Sequence, residues 1–525
     1  VIVGPPENEI KRLPLTHTQR RVLLLSVVVS SASGVAAQLL LGNFAAYLSG
    51  DAALAYGIAV GCFLAAMGIG SWLSQTVDRE RLLQAIATLA IATAPAIALL
   101  PLVVFASFTF GENLWGALVL ATLTIGGIVG MDVPLAIRLL TDRERRDRLE
   151  ATLSRVLTLD YLGALVGAIG LPLVVLPSLG VFPAAVVLGL APVLVALVLV
   201  RVAPELASLE RAGRVTAIAI LLLLPLSQPL GNTIENRLYG GPIVHRQQTT
   251  YQRIVLTRAS SDTRLFLDGD LQFSTLDEHR YHEALIHPTL AAAALTKDPE
   301  RVLVLGAGDG LAARRVLQWS SVREVVLLEL DPAVVALARR HPALVAANGG
   351  ILDDPRLEIR YGDALREIDR LPGRFDAIVA DFPDPDSKAI AKLYSEGFYR
   401  KVKSRLKPGG AFVTQATSSF FAPRAFSSII KTIASAGFAT HPFRVDVPSF
   451  GPWGFVLATP EPVAIADLQL PDEIETRFLT PEVLQGLFAL PKDETVAPND
   501  VEINRLVHPV VVNYYRDRRD RKRVG

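Results

Sequence analysis

At 525 residues the chain is longer than one ordinary domain, and its 51% hydrophobic share lies above the globular average, so part of it is expected to face lipid. Basic and acidic side chains nearly balance, 52 against 51, which excludes a global field that would recruit nucleic acid. The single cysteine, Cys62, lies in an apolar run and excludes both an intramolecular disulfide framework and a cysteine-based zinc site.

From Val22 to Leu48 there is no charge, a stretch longer than the roughly 20 residues a helix needs to cross about 30 Å of hydrocarbon. Comparable segments follow at about Ala52–Leu73, Leu83–Phe108, Leu114–Leu140, Leu157–Leu176, Val181–Val200 and Val215–Leu230. The first is therefore read as a retained span and not a removable signal peptide. The expected location is the cell membrane, with a helical bundle of about seven spans over residues 22–232, after an N-terminal tail of 1–21, and with the lipid bilayer as a partner.

Arg20 and Arg21 precede the first span, Arg79 and Arg81 follow the second, and Arg143, Arg145, Arg146 and Arg148 follow the fourth. The intervening turns, Ser49-Gly50-Asp51, Gly111-Glu112-Asn113 and Pro177-Ser178-Leu179-Gly180, contain no Lys or Arg. By the positive-inside rule the arginine-bearing connections are cytoplasmic. A full seventh crossing then puts the rest of the chain on the non-cytoplasmic face. The seventh segment is the shortest and carries Pro225 and Pro229, so a re-entrant or interfacial helix is the alternative. The terminal run from Arg516 to Arg523 is either a contact to anionic headgroups or a solvated tail.

Asp132 and Asp160 stand in or near the ends of apolar segments, where ionisable groups are costly and often functional. They are expected either to meet a cationic amine or to pair with the nearby Arg138 and Arg155. Gly163 and Gly167 form a small-xxx-small pair expected to serve helix packing.

Beyond about Thr233 the texture becomes alternating and charged. Arg253–Thr257, Arg264–Leu267 and Leu271–Phe273 read as a small hairpin sheet, within a subdomain of residues 233–296 that includes a linking helix. It would serve as a lid or face a second subunit, a homodimer being the expected assembly. Residues 297–525 read as a Rossmann-like α/β domain with a basic tail. Its first strand, Arg301–Leu305, runs into Gly306-Ala307-Gly308-Asp309-Gly310 and a helix. A second strand ends in Glu329-Leu330-Asp331-Pro332, which puts Glu329 about 20 residues beyond the glycine loop, where an acidic group can accept both ribose hydroxyls. A third leads to Gly362-Asp363-Ala364, and the fourth, Phe375–Ala380, ends in Asp381-Phe382-Pro383-Asp384-Pro385. All four motifs fall at the carboxyl ends of strands, the edge where open α/β sheets bind ligands.

The stretch from Thr250 to about Ala458, about two fifths of the chain, resembles the spermidine-synthase family. Tyr251-Gln252, Leu267-Asp268-Gly269, Gln272-Phe273-Ser274 and Asp277-Glu278-His279-Arg280-Tyr281-His282-Glu283 precede the glycine loop, and the acidic motifs and Gly454-Phe455 follow it in family order. Asn504-Arg505-Leu506 and Tyr514-Tyr515 resemble the variant of this family that carries an N-terminal membrane region. The resemblance implies a polyamine aminopropyltransferase that uses decarboxylated S-adenosylmethionine, releases methylthioadenosine, needs no metal, and acts on putrescine or another polyamine. It implies that Gln252, Gly306, Gly308, Asp309, Glu329, Asp363 and Ala364 bind the cofactor. His282, Asp309, Asp381 and Asp384 would bind the amine, and Asp381 would accept its proton.

The choice of cofactor falls on Asp309. S-adenosylmethionine carries a carboxylate that an aspartate in the glycine loop repels, whereas the decarboxylated form offers an ammonium there. Two other classes stay open: a methyltransferase using S-adenosylmethionine, and a polyamine transporter or sensor whose soluble half binds without turnover. His282-Glu283 with His287 misses the HExxH zinc spacing by one residue. Two departures from the family pattern are Ala307 in place of a glycine and, after Pro385, the segment Asp386–Lys392 in place of a Gly-Pro, which alters the lid.

Overall fold

The computed structural model describes residues 15–49, 52–111, 113–143 and 149–521, in two compact units that divide between Gly240 and Gly241. Gly50, Asp51, Glu112, Arg145, Arg146, Arg148, Lys522 and Arg523 lie outside the described residues.

The first unit is helical: α1 (His17–Ser49), α2 (Ala52–Leu73), α3 (Leu82–Gly111), α4 (Leu114–Arg143), α5 (Leu149–Gly170), the short α6 (Leu176–Leu179), α7 (Val181–Val202) and α8 (Ala207–Leu238). Among the described residues, seven helices are long and apolar enough to cross a membrane. The alternative of a re-entrant seventh segment is not what forms. Residues 215–230 are the middle of α8, which runs through Pro225 and Pro229 for 32 residues without a turn back. It also reaches Leu238, beyond the change of texture near Thr233. Between α5 and α6 the backbone loosens into a π-turn over Leu171–Val175, because Pro172 and Pro177 cannot donate to the i−4 ladder.

Small residues let these helices approach closely. A Cβ on Gly163 would stand 2.4 Å from the Val28 carbonyl oxygen of α1, and one on Gly167 would stand 2.1 Å from that of Ala32. Gly130 meets the Met67 backbone of α2 in the same way, at 2.4 Å. The packing role read from the small-xxx-small pair is therefore carried by α5 lying directly on α1. At one end Phe44, Phe105 and Phe182 close α1, α3 and α7 with ring centroids 5.5–5.6 Å apart.

The second unit holds two sheets. Strands β1 (Ile243–Gln248), β2 (Arg253–Ala259), β3 (Asp262–Leu267) and β4 (Asp270–Ser274) form an antiparallel meander. Ile254, Leu256, Leu265 and Phe273 cover one side of it and pack with Val334 and Val335. The sequence reading missed β1, because Ile243-Val244-His245-Arg246-Gln247-Gln248 has no buried alternating face to detect. Helix α9 (Glu278–Ala294) leads into the larger sheet.

That sheet has β5 (Arg301–Gly306), β6 (Glu324–Glu329), β7 (Leu357–Tyr361), β8 (Phe375–Asp381), β9 (Leu406–Gln415), β10 (Ala439–Val447) and β11 (Gly451–Thr459) in the order β10-β11-β9-β8-β5-β6-β7. From β7 to β9 the strands are parallel, and β11 and β10 close the sheet antiparallel. Helices α10 (Leu311–Val316) and α11 (Pro332–Arg340) follow β5 and β6. Val302 to Leu305 of β5 are buried throughout, as expected of a strand covered on both faces.

Candidate functional site

Parallel pairing sets the site. Gly306, the last residue of β5, is register partner to Asp381, the last of β8, so the glycine loop and the acidic motif leave the sheet side by side. A Cβ on Gly306, whose φ is +81°, would fall 2.2 Å from the Asp381 carbonyl oxygen, so only glycine fits. Next to it Ala307 holds φ +57°, a left-handed conformation costing an alanine roughly 1–2 kcal/mol. The substitution of alanine for a family glycine is thus not neutral. Ala307→Gly is expected to raise the thermal midpoint of the detergent-solubilised full chain, by a stabilisation of about 1 kcal/mol.

Glu329 stands across the loop from β5. Its Oε2 accepts the Gly308 N–H at 3.0 Å, and its Oε1 accepts the Asp331 N–H at 3.0 Å. Burial pushes its carboxyl up to about 7, against the pull of these backbone donors. The small sheet reaches the same place: Gln252 Nε2 and the Thr249 hydroxyl donate to Asp331 Oδ2, at 3.2 and 2.7 Å. Asp331 Oδ1 in turn caps α11 through the Ala333 N–H. Asp363, just past β7, caps the next turn by accepting the Leu365 N–H at 2.9 Å, and buried Ala364 follows it. The Gly362 N–H donates to the Glu329 carbonyl, bringing that turn to the end of β6.

The other half of the site is carried by α9. The Tyr281 hydroxyl donates to Asp381 Oδ1 at 2.6 Å, and the ring is held edge-on to Phe455 of β11 at 5.1 Å. His282 is buried beside it, with Nδ1 2.9 Å from the Glu278 carbonyl and 3.2 Å from Glu278 Oε2. Burial pulls the imidazole pKa down, yet Glu278, Asp309 and Asp381 outweigh burial and the net shift is upward. Arg314 and Arg315 also face Glu278, each at 3.5 Å.

Asp309 accepts the Leu311 N–H at 2.9 Å, and its backbone carbonyl accepts from buried Asn348 at 2.9 Å. Burial pushes the Asp309 carboxyl up to about 6, opposed by His282 and reinforced by Asp381 and Glu278. Burial likewise raises Asp381, opposed by His282 and by the Tyr281 hydroxyl. Asp309, Asp381 and His282 therefore share one electrostatic neighbourhood, whereas Asp363 and Ala364 sit one strand beyond Glu329.

The residues that share the HExxH-like helix with His282 are occupied elsewhere. Glu283 accepts the N–H groups of Arg477, Phe478 and Leu479 at 2.9–3.1 Å. His287 faces the Trp319 indole at 3.2 Å and is pulled down by burial to about 3, hence neutral.

Asp384 follows Asp381 in the same motif. Gln415 Nε2 lies 3.4 Å from its Oδ1, and the Tyr515 hydroxyl donates to its Oδ2 at 2.8 Å. Tyr515 belongs to the terminal helix Val510–Arg521; buried Asn504 ties it down, its Oδ1 accepting the Val511 N–H at 3.4 Å while its amide donates to the Ala391 carbonyl at 2.8 Å. Within Asp386–Lys392, where the sequence departs from the family pattern, Lys388–Ala391 forms a short helix capped by Ser387, and its Ala391 carbonyl is the one that Asn504 holds. Tyr281, Gln415 and Tyr515 were given no role in the sequence reading, although Tyr281 and Tyr515 stand inside motifs it quotes. Loss of a hydrogen bond to a charged group costs about 1.5–3 kcal/mol. Tyr515→Phe is accordingly expected to lower the thermal midpoint of the full chain, by a destabilisation of about 1.5–3 kcal/mol.

Relatives settle the family. Residues 278–467 match the family model described as the spermine/spermidine synthase domain. The polyamine aminopropyltransferase 1 of Streptomyces coelicolor is 38% identical over 516 residues, 96% of this chain and 95% of that protein. The chain belongs to the polyamine aminopropyltransferases.

Another aminopropyltransferase of this family, that of Mycobacterium tuberculosis, is 38% identical over 94% of this chain and 95% of its own length. The similarity therefore includes the helical unit as well as the catalytic one. A solved spermidine synthase, described as a complex with the transition-state analogue AdoDATO, is 28% identical over 47% of this chain and 85% of its own, with a TM-score of 0.44.

Proposed function

We propose that this aminopropyltransferase moves the aminopropyl group of decarboxylated S-adenosylmethionine to putrescine or a related diamine. The products are methylthioadenosine and a spermidine-type amine. The observation that carries this reading is the pair Asp309 and Asp381, acidic groups in one buried neighbourhood at the mouth of β5 and β8. An anionic pocket there attracts the cofactor ammonium and the acceptor amine, and repels the carboxylate of S-adenosylmethionine.

In the reaction the amine nitrogen forms a bond to the methylene beside sulfur, the carbon–sulfur bond breaks, and its electron pair stays on sulfur, which becomes a neutral thioether. The amine loses one proton. An unperturbed aspartate is a weak base toward an alkylammonium, and burial of Asp381 moves its pKa in the useful direction. Tyr281 occupies Oδ1 and leaves Oδ2 for the amine, so the carboxylate is oriented before substrate arrives. Glu329 would accept ribose hydroxyls, with Gln252 fixing Asp331 beside it. Gly306, Gly308, Asp363 and Ala364 would complete the nucleoside side, and His282 and Asp384 would line the amine side.

The nucleoside product decides between reactions. Detergent-purified protein given both sulfonium cofactors and a panel of diamines is expected to release methylthioadenosine. Release of S-adenosylhomocysteine would mean methyl transfer and overturn the assignment. The pH dependence has a definite sign. With Asp309 near 6 and Glu329 near 7, both must be ionised to hold the cofactor. Acidification from about pH 8 to about pH 6 is then expected to lower kcat/KM for the cofactor roughly 20-fold.

We also propose that the helical unit is embedded in the cell membrane as a multi-pass bundle. The seven candidate spans and the outward-facing Leu165, Val166, Leu173, Leu221 and Leu222 support this.

A further inference from the structure

The expectation that Asp132 and Asp160 pair with nearby arginines is not what the helices do. The Arg138 guanidinium caps the end of α2 instead, donating to the Val77 carbonyl at 2.8 Å and to the Ser74 carbonyl. Arg155 is exposed and forms no ion pair with Asp160. Asp132 is only 6% exposed; its Oδ2 accepts from the Ser30 hydroxyl, and its Oδ1 is buried with no hydrogen-bond partner among the described residues. Asp160 lies close enough for its charge to act on Asp132, and its backbone carbonyl accepts from the Ser31 hydroxyl at 2.8 Å.

The packing explains the juxtaposition. Between Val28 and Ala32, α1 is pressed against α5 by Gly163 and Gly167, while Gly34 sits against Val129 of α4. Adjacent serines of α1 thus turn toward carboxylate-bearing residues on two different neighbours.

Neither protonation state closes this site from within. An ionised Asp132 leaves a buried anionic oxygen without a donor, and protonation at Oδ1 leaves a buried O–H without an acceptor. A bound cation with N–H donors supplies what the ionised form lacks. An ammonium has three N–H donors and no acceptor, matching Asp132 Oδ1, the Asp160 carboxylate and the serine lone pairs. Val28 and Ala32 lie at the α1–α5 contact and Val129 at the α1–α4 contact, so apolar residues flank both carboxylate-bearing neighbours. We infer that the helical unit holds a second amine site, distinct from the catalytic one, in which Asp132, Asp160, Ser30 and Ser31 bind the ammonium end of an aliphatic amine. Choosing an amine over another monovalent cation rests on the aminopropyl-transfer reading; the existence of the site does not.

Equilibrium dialysis of the detergent-solubilised full chain against [14C]putrescine reads the site directly. The wild-type protein is expected to bind one more equivalent per chain than Asp160→Asn or Asp132→Asn, and both variants should release methylthioadenosine at the wild-type rate within about twofold. Should Asp132→Asn fail to fold, Asp160→Asn and Ser30→Ala, whose side chains are smaller perturbations, carry the same comparison. Equal stoichiometry in wild type and folded variants would overturn the site. Binding of 22Na+ in place of putrescine, lost in the same variants, would overturn the amine assignment. A protein that proves to transfer methyl groups would still show or lack the extra equivalent, so the two readings fail separately.

Discussion

Replacing Asp381 by asparagine is expected to lower kcat for aminopropyl transfer about 10³-fold, within the range of about 10²–10⁴ for a positioned general base. The variant removes the proposed proton acceptor but keeps a group that still accepts from the Tyr281 hydroxyl, now 2.6 Å from Oδ1. The fold should therefore survive, and KM for the nucleoside cofactor should change little. Methylthioadenosine release measured by mass at saturating diamine checks the effect. A rate within about threefold of wild type would remove Asp381 from the chemistry and leave orientation by the pocket as the whole of catalysis. Tyr281→Phe provides a control for positioning. It should lower kcat less, and its loss should depend on pH, because the hydroxyl helps hold Asp381 ionised.

The second large effect concerns which sulfonium is accepted. Two unit charges about 4 Å apart interact by about 4 kcal/mol at an effective dielectric of about 20. Asp309 keeps a partly exposed edge, so screening reduces that figure. Asp309→Asn is expected to lower kcat/KM for decarboxylated S-adenosylmethionine about 10²-fold and to tighten binding of S-adenosylmethionine itself. The Leu311 N–H, which Asp309 accepts at 2.9 Å, can be accepted by the asparagine oxygen, so helix α10 should start as before. Titrating both cofactors against wild type and variant decides it. Unchanged preference would mean that discrimination comes from pocket shape and not from charge.

Much of the catalytic unit was legible along the chain because its information is local. A parallel strand buried on both faces announces itself as an apolar run, and an acidic residue at its end needs no partner to be noticed. Glu329, Asp363 and Asp381 were placed at strand ends in this way, and all three do end or follow β6, β7 and β8. Strand β1 escaped because its polar residues carry no periodic face. The re-entrant reading of the seventh segment failed for a related reason. Pro225 and Pro229 lower helix propensity locally, but a 32-residue helix with a buried stripe of Ile220, Ser227 and Gly231 runs through both positions.

The sequence by itself determined the two-part architecture, the order of the acidic motifs and the family, since each depends on composition or on spacing within a few tens of residues. Tertiary structure alone decided which atoms those motifs meet. Tyr281 reaches Asp381, Tyr515 reaches Asp384, and Ser30 reaches Asp132 across separations of 100, 131 and 102 residues. Such pairs are fixed by sheet register and by how closely helices pack, and neither leaves a periodic trace in the chain.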